Sequence, residues 1–213
     1  MFRKALPTLA TLFLLLAASA TARADSILLQ DNFDALSPGL YNAGSSTAEF
    51  NLVTGSIDVY DHGDFGLPCA GGRCVDLDGV GAQTTVLESK LGFGPGTYRV
   101  QFDLAGSQRG DTNTLVVSLA DTSYTITLSS GAAYSTYSLF FTIPDTFLAQ
   151  SLRFTHGPSG DNLGLLLDNV SVSSVDAVPT PEPTAMLLLG TGLAGIGASV
   201  RRLRKAGKGK VVS

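Results

Sequence analysis

No tryptophan occurs in this chain, and its 213 residues include only two histidines, two cysteines and two methionines. The missing indole removes the usual platform for stacking against a sugar ring. A structural zinc centre wants four ligands, and beyond Cys69 and Cys74 only His62 and His156 are on offer. The four residues between the cysteines are not the spacing of a redox Cys-x-x-Cys pair. A Gly-x-Ser-x-Gly elbow is missing too, which argues against a serine hydrolase of that design. Positive charge is scarce where it would matter. All eighteen acidic residues lie between Asp25 and Glu182, with only Arg73, Lys90, Arg99, Arg109 and Arg153 among them, so this span carries 5 − 18 = −13. A binder of nucleic acid or anionic lipid needs a basic face, which argues against those partners. Neutral sugars and divalent cations suit such a surface, as does plain solubility.

Helical periodicity is nearly absent between Asp25 and Val175, and strand alternation takes its place. Tyr98, Val100, Phe102 and Leu104 alternate with Thr97, Arg99, Gln101 and Asp103. Leu115, Val117 and Leu119 repeat the pattern, then Tyr124, Ile126 and Leu128, then Tyr137, Leu139, Phe141 and Ile143. Leu152 with Phe154 predicts a short strand, and Leu165 to Val172 the last. Turn-rich loops at short intervals predict an all-β antiparallel sandwich over residues 25–175. His156 falls in the turn formers His-Gly-Pro-Ser-Gly-Asp and is expected on a loop. A close cysteine pair in an exported chain predicts a disulfide between Cys69 and Cys74, with two glycines helping the segment turn back.

Export is written at both ends. Arg3 and Lys4 precede an apolar run, Ala5 to Ala20, and the small-residue site Ala22-Arg23-Ala24. Residues 1–24 therefore read as a signal peptide, handled by the export machinery and signal peptidase, with an uncleaved anchor as the alternative. At the other end, residues 176–183 form a linker that includes Pro179, Pro181 and Pro183, which hold the chain extended. The uncharged run 184–200 follows, and as a helix it would be roughly 26 Å long, within the range for spanning a hydrocarbon core. Arg201, Arg202, Arg204 and Lys205 then keep the tail 201–213 cytoplasmic and place the body outside.

Pro181-Glu182-Pro183, the short Gly-rich apolar helix and the Arg-rich end resemble the PEP-CTERM sorting signal of Gram-negative bacteria. The resemblance implies recognition by an exosortase, a membrane-embedded cysteine protease-transpeptidase, and cutting near the motif. It also implies passage through the inner membrane to the cell surface or the exopolysaccharide matrix. An ordinary tail anchor with a Pro-rich linker is the alternative.

The body resembles a galactose-binding-like jelly roll, the fold of many carbohydrate-binding modules. The resemblance rests on the opening Leu28-Leu29-Gln30-Asp31-Asn32-Phe33-Asp34, the central Cys74-Val75-Asp76-Leu77-Asp78-Gly79 and Gly96 to Gly106, and the closing Leu166 to Val172. It implies a structural calcium ion where the first and last strands meet, at Asp34 and Asp168, although Asp34 is shorter than the family's usual Glu. Alternatively Asp168 and Asn169 cap a strand end and bond to backbone.

Asp76-Leu77-Asp78-Gly79 also resembles a fragment of a calcium loop, but it lacks the distal Glu, and a strand with outward acids ending at a Gly turn explains it. Tyr60, Asp61 and His62 open a loop to Phe65 that mixes aromatic, acidic and imidazole groups, a candidate sugar contact or a plain solvent loop. No catalytic set emerges. The expected protein is non-enzymatic, sorted by its tail and in contact with exopolysaccharide. The rivals are a small glycan-cleaving hydrolase that uses the same tail, and a membrane-tethered scaffold.

Overall fold

The computed structural model describes residues 25–81, 83–158 and 161–175. The expected signal peptide, the linker with Pro181, Glu182 and Pro183, the apolar run 184–200 and the arginines at 201, 202 and 204 lie outside the described residues. The chain divides into two compact units, Met1–Asp176 and Ala177–Ser213, and the described residues belong to the first. Among them no helix is long and apolar enough to cross a membrane.

Twelve strands occur among the described residues: β1 (Ser26–Asp31), β2 (Gly39–Asn42), β3 (Phe50–Thr54), β4 (Ser56–Asp61), β5 (Arg73–Asp76), β6 (Thr85–Phe93), β7 (Gly96–Ala105), β8 (Thr112–Leu119), β9 (Thr122–Ser129), β10 (Ser135–Ile143), β11 (Gln150–His156) and β12 (Leu166–Ser174). All of their pairings are antiparallel. One sheet runs β10-β7-β12-β5-β4-β2, with β1 also on β12, and the other runs β3-β6-β11-β8-β9. The alternating runs predicted from sequence sit in β7, β8, β9, β10, β11 and β12. Strand β6 carries weaker alternation, because two of its buried positions are held by Thr85 and Ser89. Their hydroxyls are satisfied: Thr85 Oγ1 donates to Ser56 O at 3.0 Å, and Ser89 Oγ donates to Leu91 O at 2.7 Å. Satisfied polar groups are cheap to bury, so the strand survives a broken pattern.

Two sheets with apolar inner faces must stack to exclude water. Phe154 of β11 joins them, meeting Phe102 of β7 edge-on at 5.3 Å and Phe50 of β3 at 5.8 Å between ring centroids. Phe102 in turn stacks on Tyr137 of β10 at 5.6 Å. Such edge-to-face pairs add to the burial of each ring. Replacing Phe154 with Ala is expected to lower unfolding free energy by about 3–5 kcal/mol in urea titrations.

His156 departs from its expected loop position. It is the last residue of β11, two places beyond Phe154, so alternation turns it inward and leaves it 1% exposed. Neither ring nitrogen has a hydrogen-bond partner among the described residues. Burial pushes the imidazole below its ordinary pKa, opposed by the nearby charge of Asp78, Asp111 and Asp161. The unfolded chain therefore takes up this proton first, and the stability from the neutral ring is lost as pH falls below about 6.5. The melting-temperature advantage of a His156→Phe variant over the parent is expected to grow as pH drops from 8 to 5.

Candidate functional site

The inner residues of the larger sheet, Val59, Val75, Leu167, Phe102 and Leu104, belong to the core. Their neighbours in sequence point the other way. Register then lines up one row across four strands: Asp58 of β4 opposite Asp76 of β5, Asp76 opposite Leu166 of β12, and Leu166 opposite Ala105 of β7. Tyr60 stands two residues along from Asp58, and Asp168 lies opposite Asp103. This outer face is partly roofed. Leu67 packs on Ala105 and Leu166, with Tyr60 and Tyr134 against the same small cluster.

The roof is the segment between β4 and β5, and its shape follows from local bonds. A single 3-10 turn spans Asp64–Gly66, where Leu67 N donates to Asp64 O at 2.8 Å and Gly63 N to Leu67 O at 3.0 Å. Cys69 and Cys74 are disulfide-bonded, as their spacing predicts. His62 Nδ1 lies 3.1 Å from Cys69 N and 3.0 Å from Cys69 O, so the imidazole holds the loop. Asp61 is likewise structural, receiving Arg73 Nε at 2.7 Å. Of the three residues expected to contact sugar, only Tyr60 faces the site. Phe65 joins it edge-on at 5.6 Å while staying 86% exposed on a left-handed backbone (φ 52°).

At the floor lies Asp76, which is fully buried. Its Oδ1 accepts N–H groups from Asp78 and Gly164, both at 2.9 Å, and its Oδ2 accepts Arg109 Nη2. Position 164 must be glycine, because a Cβ there would run into Asp76 Oδ1 and the amide of Asp78. Burial pushes the Asp76 carboxyl up to about 7, against the pull of the Asp78 and Gly164 amides and of Arg109. Arg109 donates Nε to Ser107 O at 3.2 Å, and its guanidinium lies within electrostatic reach of Tyr60. Asp58 is raised by burial as well, and its contact with Tyr60 Oη is a long 3.4 Å. Tyr134 Oη is shielded from solvent and has no hydrogen-bond partner among the described residues; burial first, then Asp168, Asp103 and Asp76, raise its pKa.

Asp34 and Asp168 stand close enough that Asp34 raises the Asp168 carboxyl, which burial above all pushes up to about 6. All four oxygens accept N–H donors. Asp34 Oδ1 takes Arg73 N at 2.7 Å and Oδ2 takes Asn32 Nδ2 at 2.8 Å; Asp168 Oδ2 takes Gly71 N at 3.0 Å and Oδ1 takes Asn169 N at 2.7 Å. Amides thus supply the positive partners that a calcium ion would supply. Among the described residues no group of three His, Cys, Asp or Glu side chains could hold a metal ion.

Sequence reading missed Arg109, Asp58 and Tyr134, and took Asp76 for a simple strand end. Arg109 left one signal: it is one of five basic residues in the acidic span, set in a polar loop.

Residues 179–202 match the PEP-CTERM protein-sorting motif. No curated protein matches the chain. An arabinose-bound α-L-arabinofuranosidase shares 11% identity with a TM-score of 0.51, over 78% of this chain and 28% of that one. The chain thus spans little more than a quarter of that enzyme's length. A xylan-binding domain of Paenibacillus barcinonensis Xyn10C shares 13% identity with a TM-score of 0.45, over 73% of this chain and 99% of that one. A Stig cyclase of Fischerella sp. TAU shares 14% identity with a TM-score of 0.48, over 72% and 100%. Likeness at these identities is one of fold alone. The chain is an antiparallel two-sheet β-sandwich followed by a PEP-CTERM sorting motif, the mark of a secreted, exosortase-processed protein bound for the cell surface.

Proposed function

We propose that this is a non-enzymatic surface protein that contacts exopolysaccharide through the outer face of its larger sheet. The observation that carries the reading is the group at Tyr60: an aromatic pair with Phe65, beside a guanidinium anchored on a buried carboxylate. A sugar offers an apolar C–H face and a set of hydroxyls that both give and accept hydrogen bonds. Tyrosine and phenylalanine rings suit the first, and Arg109 with Asp58 suits the second. The acidic surroundings disfavour an anionic polymer. Neither histidine is poised as a general base, since His62 holds Cys69 and His156 lies in the core.

The full-length chain in a non-ionic detergent is expected to be retarded in affinity electrophoresis by exopolysaccharide from the producing organism, without release of new reducing ends. Tyr60→Ala and Arg109→Ala should each weaken retardation about tenfold, with strand content unchanged by circular dichroism. New reducing ends would favour a glycan-cleaving enzyme, and absence of retardation a scaffold. The tail is tested separately. Glu182→Ala in the sorting motif is expected to leave a longer, cell-retained form on immunoblots, where the parent chain gives a shorter, surface-delivered one.

A further inference from the structure

Among the described residues Asp76 has one side-chain partner, Arg109, and it has no exposure to water. Arg109 in contrast is partly exposed, on the loop between β7 and β8. That loop is itself fixed: Gly106 N donates to Ala132 O at 2.9 Å, Gln108 N to Ser130 O at 2.9 Å, and Ser107 Oγ to Asp111 Oδ1 at 2.5 Å. The backbone is therefore held whatever the guanidinium does. What aims the guanidinium is the carboxylate beneath it. We propose that protonation of Asp76 gates ligand binding on this face: ionised, it fixes Arg109 beside Tyr60, and protonated, it lets Arg109 go. The proposal rests on the glycan-contact reading of the same face.

The surroundings favour an equilibrium that turns over within the range of natural waters. Burial opposes the ionised form, and the Asp78 and Gly164 amides and Arg109 favour it, which leaves the carboxyl at about 7. The groups around it are Arg109 from the β7–β8 loop, Asp58 and Tyr60 from β4, and Tyr134 ahead of β10. On β12 and β7 the residues level with it are the uncharged Leu166 and Ala105, with Asp168 and Asp103 two places along, and Asp78 follows it in sequence. A carboxylic acid in place of the carboxylate accepts a weaker hydrogen bond from a guanidinium. The half-free side chain then samples solvent, and the orientation that the ligand needs is lost.

The sign for stability runs the other way. The folded carboxyl holds its proton more tightly than the unfolded one does, so this group adds stability below about 4 and loses it as pH rises through about 7. Weaker binding in acid through this gate therefore arrives without destabilisation from Asp76. General unfolding would look different.

The test uses the full-length chain, isotopically labelled, in detergent between pH 5 and 8.5. By NMR, the Arg109 Nε–H resonance is expected to shift with the same midpoint as the Asp76 carboxyl carbon, while core amide signals stay in place. Retardation by the producing organism's exopolysaccharide should fall about tenfold over the same interval. Asp76→Asn should bind at pH 8 as weakly as the parent at pH 5, with a flat profile. An Arg109 signal that ignores the Asp76 titration overturns the gate, as does binding that stays constant across the range. Absence of retardation at every pH would defeat the glycan reading instead, and the co-titration would still decide whether Asp76 governs Arg109.

Discussion

One edge of β12 serves two partners, and much of the molecule follows from that sharing. The far half of β12 pairs with β1, from Val170 to Ser174, and the near half pairs with β5 at Leu166 and Leu167. Between them the ladder is interrupted at Asp168 and Asn169, where β12 also shifts register against β7 and Asn169 takes a left-handed backbone (φ 50°). A strand that must feed two neighbours on one side leaves unpaired groups at the fork. The amides of Gly71 and Arg73 bond there to Asp168 and Asp34. This draws the Cys69–Cys74 loop across the outer face and creates the sheltered floor under Tyr60.

Shelter changes the electrostatics. A surface with so much negative charge would ordinarily keep its carboxylates ionised and hydrated. Asp76 and Asp168 are instead drawn into the sheet and raised, to about 7 and about 6, chiefly by burial. The two are handled differently. Among the described residues Asp168 rests on backbone amides, which cannot leave, whereas Asp76 adds to its two amides a side chain that can. Fixed donors make a structural joint; a mobile donor makes a contact that can respond.

What could be read from sequence was what is local. Alternation marked β7 through β12 because their inward positions are apolar, and the cysteine spacing gave the disulfide. The pattern failed where hydroxyls replaced hydrocarbon, as at Thr85 and Ser89, and where a polar residue kept the beat, as at His156. The site was half visible. Tyr60 and its loop stood out by composition, but Asp61 and His62 are taken up by Arg73 and Cys69 a dozen or fewer residues away. The Asp76–Arg109 pair joins residues 33 apart across two strands. Sheet register sets β5 near the end of β7, and the loop after β7 then carries Arg109 over Asp76; both belong to the finished fold.

The central position of the last strand also sets the timing of assembly. Without β12, the ribbon of β7 with β10 and the ribbon of β2, β4 and β5 have no shared neighbour, and β1 has nothing to pair with. Ser26 waits for Ser174, nearly the whole body away in sequence. Contacts this distant form late. The larger sheet is therefore complete only once its last strand, which lies ahead of the sorting motif in sequence, has taken its place.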